Sequence, residues 1–437
     1  MNGDSSPTAV LLGLDGFRVL AAAEVAGEVE LLVESAASLT GCPDCGVVAV
    51  PKDRRAVTVR DLPVGGRPVV LVWHKRVWSC AEPLCARRSW TETSPAVRPR
   101  VTLTERARDW AFVEVGRKGR STAEVARELG VGWATVWRTV VDKGTPVVDD
   151  PGRLDGVEGL GVDETAFLAA TATSSTAYVT GIVDVTRGRP PRLLDVVPGR
   201  SGRVYANWLT QRETSWREGI RFAALDPFRG YAAALRTELP DAVRVLDCFH
   251  VVRLGFAAVD EVRRRVQQET LSRRGHRDDP LYRIRRVLRR RADRLSAHAR
   301  RRLQTGLELG DPDGEVAVTW WLAQDLCALY RQPSLDAARR DLDRLLARMT
   351  SCPVPEVARL GRTLASWRAE LLAYWRTGGA SNGPTEAMNL LIEKIRRVGH
   401  GYRNFRNYRL RLLLHCGTDW QDAPTTRIRG RRPRFVA

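Results

Sequence analysis

The sequence predicts a multidomain α+β protein: a small β-rich N-terminal unit organised by cysteines, a helical hairpin, and an α/β core that a long all-helical insertion interrupts. Three observations carry this. Two cysteine pairs, Cys42-x2-Cys45 and Cys80-x4-Cys85, flank the strand-like segments AVTVRDL and PVVLVWHKRVW. Short apolar runs end on an aspartate in GLGVDET and again in RFAALDPF, as buried strands with a polar end do. From His250 to Ser381 the chain reads almost wholly as helix.

Length and composition bound the rest. The 437 residues leave room for about two to four domains. No stretch approaches the roughly eighteen uninterrupted apolar residues of a membrane span, so a soluble protein with no membrane partner is expected. Residues 8–33 are rich in Ala and Leu but broken by Asp15, Arg18, Glu24, Glu28 and Glu30, which does not fit a signal peptide. The net charge is +19, and nearly all the cations are Arg, whose planar fork suits phosphate. DNA is the expected polyanion, although a GC-rich genome also enriches Arg.

The N-terminal unit, residues 1–98, reads as a zinc ribbon. Paired knuckles linked by strands place Cys42, Cys45, Cys80 and Cys85 where four thiolates fix one tetrahedral Zn²⁺, and His74 is a spare candidate ligand. The ion's role is structural, since a ribbon this small has too little apolar surface to fold unaided. Two disulfides are the competing reading. The absent signal peptide and the single cysteines Cys248, Cys327, Cys352 and Cys416 argue against it. Those four sit in apolar or helical contexts and are expected in the core.

Residues 99–145 follow as a helix-turn-helix. A first helix is predicted from about Thr104 to Val115. STAEVARELGVGWATVWRTV then opens on a capping box, Ser121 to Glu124. Small Ala126 lets the two helices approach, Gly130 makes the turn and Val136 closes the shared core. Trp133, Thr135 and Arg138 then face outward toward base edges; an ordinary helical hairpin is the alternative. The turn-rich DKGTPVVDDPGRLDG reads as a linker.

The core begins at 155. Residues 157–168, 176–186 and 191–198 are three predicted strands, RVYANWLTQRE a helix, and RFAAL and AVRVL two further strands leading to Asp226 and Asp247. If the first and fourth strands are neighbours, Asp163 and Asp226 meet at their ends. Glu386, in SNGPTEAMN, follows a Pro384 that opens a helix. Two strand-end aspartates and a helix-borne glutamate are the layout of a two-metal phosphoryl-transfer site, because Mg²⁺ needs hard oxygen ligands and open positions for phosphate. Asp163 is preferred to Glu164, which points to the other face of the strand. Asp247 and His250, in DCFH, either support the site or form a structural hydrogen bond.

The core's first part closes at 250, the helical insertion covers 251–380, and 381–420 is the core's last part. Arg-rich LYRIRRVLRRRADRLSAHARRRL either grips phosphates or is solvated. Trp320 and Trp321, and Trp367 with Trp375, are expected in the core. IRRVGHGYRNFRNYRLR alternates Arg with aromatics, a composition that tracks a strand by charge and stacking, with Arg396, Arg397, Arg403 and Arg406 as contacts. Residues 421–437, ending in RIRGRRPRFVA, read as a disordered basic tail.

Taken together, CPDC, GVDET, LDPFRGY, DCFHVVR, SNGPTEAMN and GHGYRNFRNYRLRLLL cover nearly the whole chain in one order. In that order they resemble a DDE transposase with an RNase H-like core, and in detail the ISL-three group of bacterial insertion-sequence transposases. One departure is local: that group more often carries Met and an aromatic after the second aspartate, where this chain has Pro227 and Phe228. The resemblance implies an enzyme that binds terminal inverted repeats and target DNA as duplex, and that cleaves and transfers strands with two Mg²⁺ or Mn²⁺ on Asp163, Asp226 and Glu386. It implies a homodimer or larger assembly on DNA, in a bacterial cytoplasm and at the nucleoid. The alternatives are a catalytically silent DNA-binding regulator, against which the retained carboxylates speak, and a structure-specific nuclease.

Overall fold

The structure, a computed structural model, describes residues 11–36 and 39–420; the basic tail expected at 421–437 lies outside them. The chain forms two compact units, one made of the residues up to Pro151 together with those from Lys394 on, the other of Gly152–Glu393.

In the first unit, β1 (Phe17–Val25), β2 (Glu28–Ser35), β3 (Val50–Val64), β4 (Arg67–Ser79) and β5 (Ser89–Thr91) form one sheet in the order β1-β2-β4-β3, with β5 on β4. β2 and β4 run parallel and the other pairs antiparallel. Period-two alternation builds the core: Leu31 and Val33 of β2 and Val69, Leu71 and Trp73 of β4 bury against Phe17, Val59 and Val97. Gly65 and Gly66 close the β3–β4 hairpin with φ of 59° and 76°, which side chains disfavour and a two-residue turn of this kind requires. Asp61, fully buried on β3, accepts from the Thr104 hydroxyl at 2.6 Å and from Arg106, binding the sheet to the first turn of the next helix.

That helix is α1 (Glu105–Gly116); α2 (Thr122–Glu128) and α3 (Trp133–Val148) follow. The predicted capping box is present: the Ser121 hydroxyl accepts from the Glu124 amide at 3.1 Å, and the Glu124 carboxylate accepts from the Ser121 amide at 3.3 Å. Ala126 and Val136 are buried, and Gly130 turns the chain at φ 64°. α3 runs further than expected. Residues 142–148, read as linker, continue the helix through Pro146. Packing explains this, because a Cβ on Gly144 would stand 2.9 Å from Leu414 Cδ1, so the helix at Phe405–Cys416 lies directly on α3 and offsets the hydrogen bond that Pro146 cannot donate. The boundary between the two compact units falls at Lys394, inside the 381–420 segment expected to complete the core. Arg411 there is buried and gives its guanidinium to the carbonyls of Val115 and Arg120, just past the C-terminal turn of α1.

In the second unit, β6 (Gly159–Leu168), β7 (Ala177–Asp184), β8 (Arg192–Pro198), β9 (Phe222–Leu225) and β10 (Val243–Leu246) coincide with the predicted strands. The sheet order is β10-β9-β6-β7-β8, with β10, β9 and β6 parallel and the rest antiparallel. Helices α4 (Gly202–Thr210), α5 (Thr214–Glu218) and α6 (Arg229–Glu238) connect the later strands. Then come α7 (Cys248–Leu271), α8 (Pro280–Ile284), α9 (Ala297–Gly310), α10 (Glu315–Leu329), α11 (Leu335–Thr350), α12 (Pro355–Ala365) and α13 (Arg368–Arg376). The last two helices are α14 (Gly383–Val398) and α15 (Phe405–Cys416).

The Arg-rich stretch, within the segment read almost wholly as helix, breaks after Ile284 and resumes as α-helix at Ala297 under the Ser296 cap. Arg285 and Arg289, and Arg286 and Arg290, would stand one turn apart on a continuous helix, where like charges repel. Of the tryptophans expected in the core, Trp320 and Trp367 are buried but Trp321 is 57% exposed, since successive residues on a helix point about 100° apart.

α4 and α6 meet through two glycines. A Cβ on Gly202 would lie 2.2 Å from the Gly230 carbonyl oxygen, which is backbone and cannot swing aside. Gly202→Ala is therefore expected to destabilise the protein by about 1–3 kcal/mol and to lower its melting temperature by about 2–4 °C per kcal/mol. A thermal melt unchanged from wild type would show that the two helices separate without cost.

Candidate functional site

Strand register places the aspartates. β6 and β9 pair in parallel with Gly161 opposite Ala224, and two residues further on that register sets Asp163 beside Asp226. β10 pairs with β9 with Leu246 opposite Leu225, so Asp247 comes next in line, its amide bonded to the Leu225 carbonyl at 3.0 Å. Three aspartates thus stand abreast, Asp226 and Asp247 just past the carboxyl ends of β9 and β10, where open α/β sheets bind ligands, and Asp163, expected at a strand end, midway along β6, which runs on to Leu168 against β7.

Asp247 also caps α7: its Oδ2 accepts from the His250 amide at 3.0 Å and lies 3.1 Å from His250 Nδ1. The other ring nitrogen, Nε2, is 2.9 Å from Asp226 Oδ2, and Glu386 Oε1 lies 3.8 Å from Nδ1. Asp226, Asp247 and His250 form the tightest set, with ligand atoms within 4.8 Å of one another, and Asp163 and Glu386 stand outside it. Both nevertheless feel its charge. Burial and then the charge of Asp226 raise the Asp163 carboxyl above its usual range. Burial, together with the charges of Asp247, Asp226 and Asp163, raises Glu386 against the opposing pull of His250. Burial disfavours charge on His250, but hydrogen bonds to Asp226 and Asp247 prevail and push it up to about 10. Burial likewise opposes ionisation of Asp247, and His250 overcomes it. A cluster in which Asp163 and Glu386 resist ionising beside their neighbours' charge, and whose donors are mostly oxygen, is chemically suited to a hard divalent cation.

Two asparagines complete the arrangement, and sequence reasoning missed both. Asn389, one turn after Glu386 on α14, donates to Asp163 Oδ2 at 2.5 Å. The i, i+3 spacing of Glu386 and Asn389 was the available signal. Asn382 is fully buried; its amide N–H donates to Asp247 at 2.8 Å, and its side chain reaches the Val162 carbonyl at 3.2 Å and Asp226 Oδ1 at 3.3 Å. Gly161 admits this segment, because a Cβ there would lie 2.0 Å from Thr385 Oγ1 and 2.9 Å from Asn382 Oδ1.

A second cluster lies in the first unit. The sulfurs of Cys42, Cys45, Cys80 and Cys85 all lie within 4.8 Å of one another. Cys42 and Cys85 are 3.8 Å apart, and Cys45 and Cys80 are 3.5 Å apart. A tetrahedron of Zn–S bonds of about 2.3 Å has edges of about 3.8 Å, so the four thiols fit a structural zinc. His74, the spare candidate, sits mid-strand opposite Ala56 and is not in this cluster.

Among the candidate DNA contacts, Trp133 is exposed and stacks on Trp137 at 5.7 Å, Arg138 is exposed, and Thr135 is only partly so. Arg397, Arg403 and Arg406 are exposed and Arg396 partly so. The alternation of Arg with aromatics around them is only in part a surface, since Tyr408 and Arg411 are interior. No helix among the described residues is long and apolar enough to cross a membrane.

Comparison with known proteins bears on all three parts. Residues 160–412 match the family described as Transposase, of the DDE type and ISL3 group. Residues 38–85 match the zinc-finger of transposase IS204/IS1001/IS1096/IS1165, and residues 92–142 the helix-turn-helix domain of transposase family ISL3. Over 382 residues the chain is 26% identical to the transposase for insertion sequence element IS1001 of Bordetella parapertussis, covering 85% of this chain and 87% of that one. Among solved structures, the Drosophila P element transposase strand transfer complex is similar at a TM-score of 0.39 and 11% identity, over 71% of this chain and 91% of that one.

The zinc fit is directly testable. Elemental analysis of the full-length protein should find about one zinc per chain, and Cys45→Ser should lose it and lower the stability of the first unit, because metal binding and folding are linked. Cys45→Ser retaining its zinc, with an unchanged melt, would remove Cys45 from the ligand set.

Proposed function

The chain belongs to the transposase family ISL3, and on that premise we propose that it binds the terminal inverted repeats of its own element, cuts at their ends and joins them to target DNA. It is a transposase of the polynucleotidyl-transferase type, with DNA-binding and zinc-ribbon domains. The observation that supports this reading best is the register that sets Asp163 beside Asp226, with Asp163 hydrogen-bonded from the same helix that carries Glu386.

In this reading Asp163, Asp226 and Glu386 hold two Mg²⁺, or Mn²⁺. When bound, such ions supply an activated oxygen nucleophile and neutralise the leaving oxygen of an in-line displacement. The protein's own part is to hold the ligands still. Asn389 fixes the rotamer of Asp163, and Asn382 ties the start of α14 to Asp226 and Asp247. Asp247 and His250 are positioning residues: Asp247 caps α7 and holds His250 Nδ1, and His250 Nε2 orients Asp226. The zinc ribbon and helix-turn-helix hold the repeat, with Trp133, Thr135 and Arg138 toward base edges, while Arg396, Arg397, Arg403, Arg406 and the basic tail contact backbone. We place the domain boundaries near 98, 145, 155, 250 and 380. The assembly on DNA is a homodimer or larger, in a bacterial cytoplasm and at the nucleoid. The family match and the complete carboxylate set weigh against a silent regulator.

Two expectations test this. Asp163→Ala, Asp226→Ala and Glu386→Ala should each slow Mg²⁺-dependent end cleavage by at least about 10²-fold, the equivalent of several kcal/mol of lost charge stabilisation, while binding to end DNA holds, since phosphate contacts dominate affinity. Asn389→Ala should cost about 10–100-fold. Cleavage at wild-type rate by any alanine variant of the three would remove that residue from the site. Arg138→Ala, titrated against repeat and random duplex, should lose about 1–3 kcal/mol on the repeat and almost nothing on the random sequence; equal losses on both would mean that another surface reads the repeat.

A further inference from the structure

The second unit carries a cleft of about 1020 Å³ that the cleavage chemistry leaves unused. It starts at Cys248 and Phe249, which lie in sequence between Asp247 and His250, and runs along α7 past Arg253, Phe256 and Asp260 to Arg289–Arg291, Arg294 and Tyr330. It is continuous, then, with the backbone that positions the carboxylate cluster.

Charge in the cleft is one-sided. Seven arginines line it against a single carboxylate, Asp260. That carboxylate is already shared among Arg263, Arg264 and Arg289. Arg291 and Arg331 share Asp293, at 2.5 and 2.7 Å. Arg253, Arg290 and Arg294 have no carboxylate within ion-pair distance among the described residues. All three are exposed, and Arg290 donates to the Arg294 carbonyl at 3.1 Å, so their uncompensated positive charge is open to an anion. Aromatic groups lie among the charges. Phe249 is 54% exposed and stands edge-on to the His250 ring at 5.9 Å. Tyr330, stacked on Trp375, has a buried hydroxyl with no hydrogen-bond partner.

We propose that this cleft receives an unpaired stretch of DNA, roughly two or three nucleotides long, with a base stacked on Phe249 and the phosphates held by Arg253, Arg290 and Arg294. Cations beside exposed aromatics are the chemistry of single-strand binding. A duplex keeps its base faces covered and offers Phe249 nothing to stack on. A free nucleotide shares the chemistry, but Cys248 and Phe249, which line the cleft, are chain neighbours of Asp247 and His250, and that proximity favours the strand that leaves the scissile position. The proposal rests on the transposase reading in naming the source of that strand, and adds that the site needs melted DNA rather than duplex alone.

The test uses full-length protein, with calcium in place of magnesium so that binding is read without cleavage. Three probes are titrated: blunt duplex of the terminal repeat, the same duplex with a three-nucleotide unpaired flap, and a short single strand of unrelated sequence. Phe249→Ala and Arg294→Glu should each weaken the flapped and single-stranded probes by roughly tenfold, as loss of one stacked base or one phosphate contact does, and leave the blunt duplex within about twofold. Phe249→Trp should restore the loss. Equal losses on all three probes, or none, would overturn the proposal. So would a free nucleoside triphosphate that displaces the single strand as well as an unlabelled strand does, which would make a free nucleotide the occupant. Failure of wild type to prefer the repeat would sink the inverted-repeat reading alone, because the unrelated strand still reports on the cleft.

Discussion

Three parallel strands, β6, β9 and β10, are in register, and each brings an aspartate to the level at which β9 and β10 end. That register is fixed by backbone hydrogen bonds and by apolar faces buried on both sides, so it cannot slip by one residue without turning every strand inside out. The consequence is an accumulation of negative charge in a half-buried place, where repulsion is poorly screened. Much of the surrounding detail compensates for it. His250 sits between Asp226 and Asp247 with a ring nitrogen toward each. Asn382 offers an amide hydrogen to both of the same residues, and Asn389 offers one to Asp163.

Close approach is the second half of that design. Gly161 leaves β6 bare where Thr385 and Asn382 come in, so α14 can start against the sheet and deliver Glu386 and Asn389 to the strand ends. A side chain there would push the helix start away, and the carboxylates would lose the donors that keep them in one arrangement. Preorganisation here depends on residues with no charge at all.

How much of this was legible in the sequence follows from how local each signal is. Asp163, Asp226 and Glu386 could be singled out as candidates because each ends an apolar run or opens a helix, and both are patterns of a few neighbouring residues. The capping box at Ser121 and the turn at Gly130 are local in the same sense. Asn382 and Asn389 were hidden because their partners lie more than a hundred residues away and are chosen by docking, which periodicity does not encode. Tyr408 and Arg411 were misplaced for the opposite reason: alternation of Arg with aromatics describes composition, whereas the inward face was set by the carbonyls of Val115 and Arg120. The helix through Pro146 shows tertiary packing overriding a local stop signal.

The contact of α15 with α3 has a consequence in time. Gly144 and Leu414 touch, yet most of the chain is made between them. A ribosome adding about 5–20 residues per second takes tens of seconds to cover that interval. Through all of it α3 stands on the nascent chain without its backing, and the end of α1 without Arg411. The first unit, begun first, is finished last. A transcript cut short between Asn389 and Phe405 would yield a product with its cysteine cluster and carboxylates encoded in full and its helical hairpin unsupported, so quality control over such fragments falls to proteolysis of an exposed apolar seam rather than to any loss of the site itself.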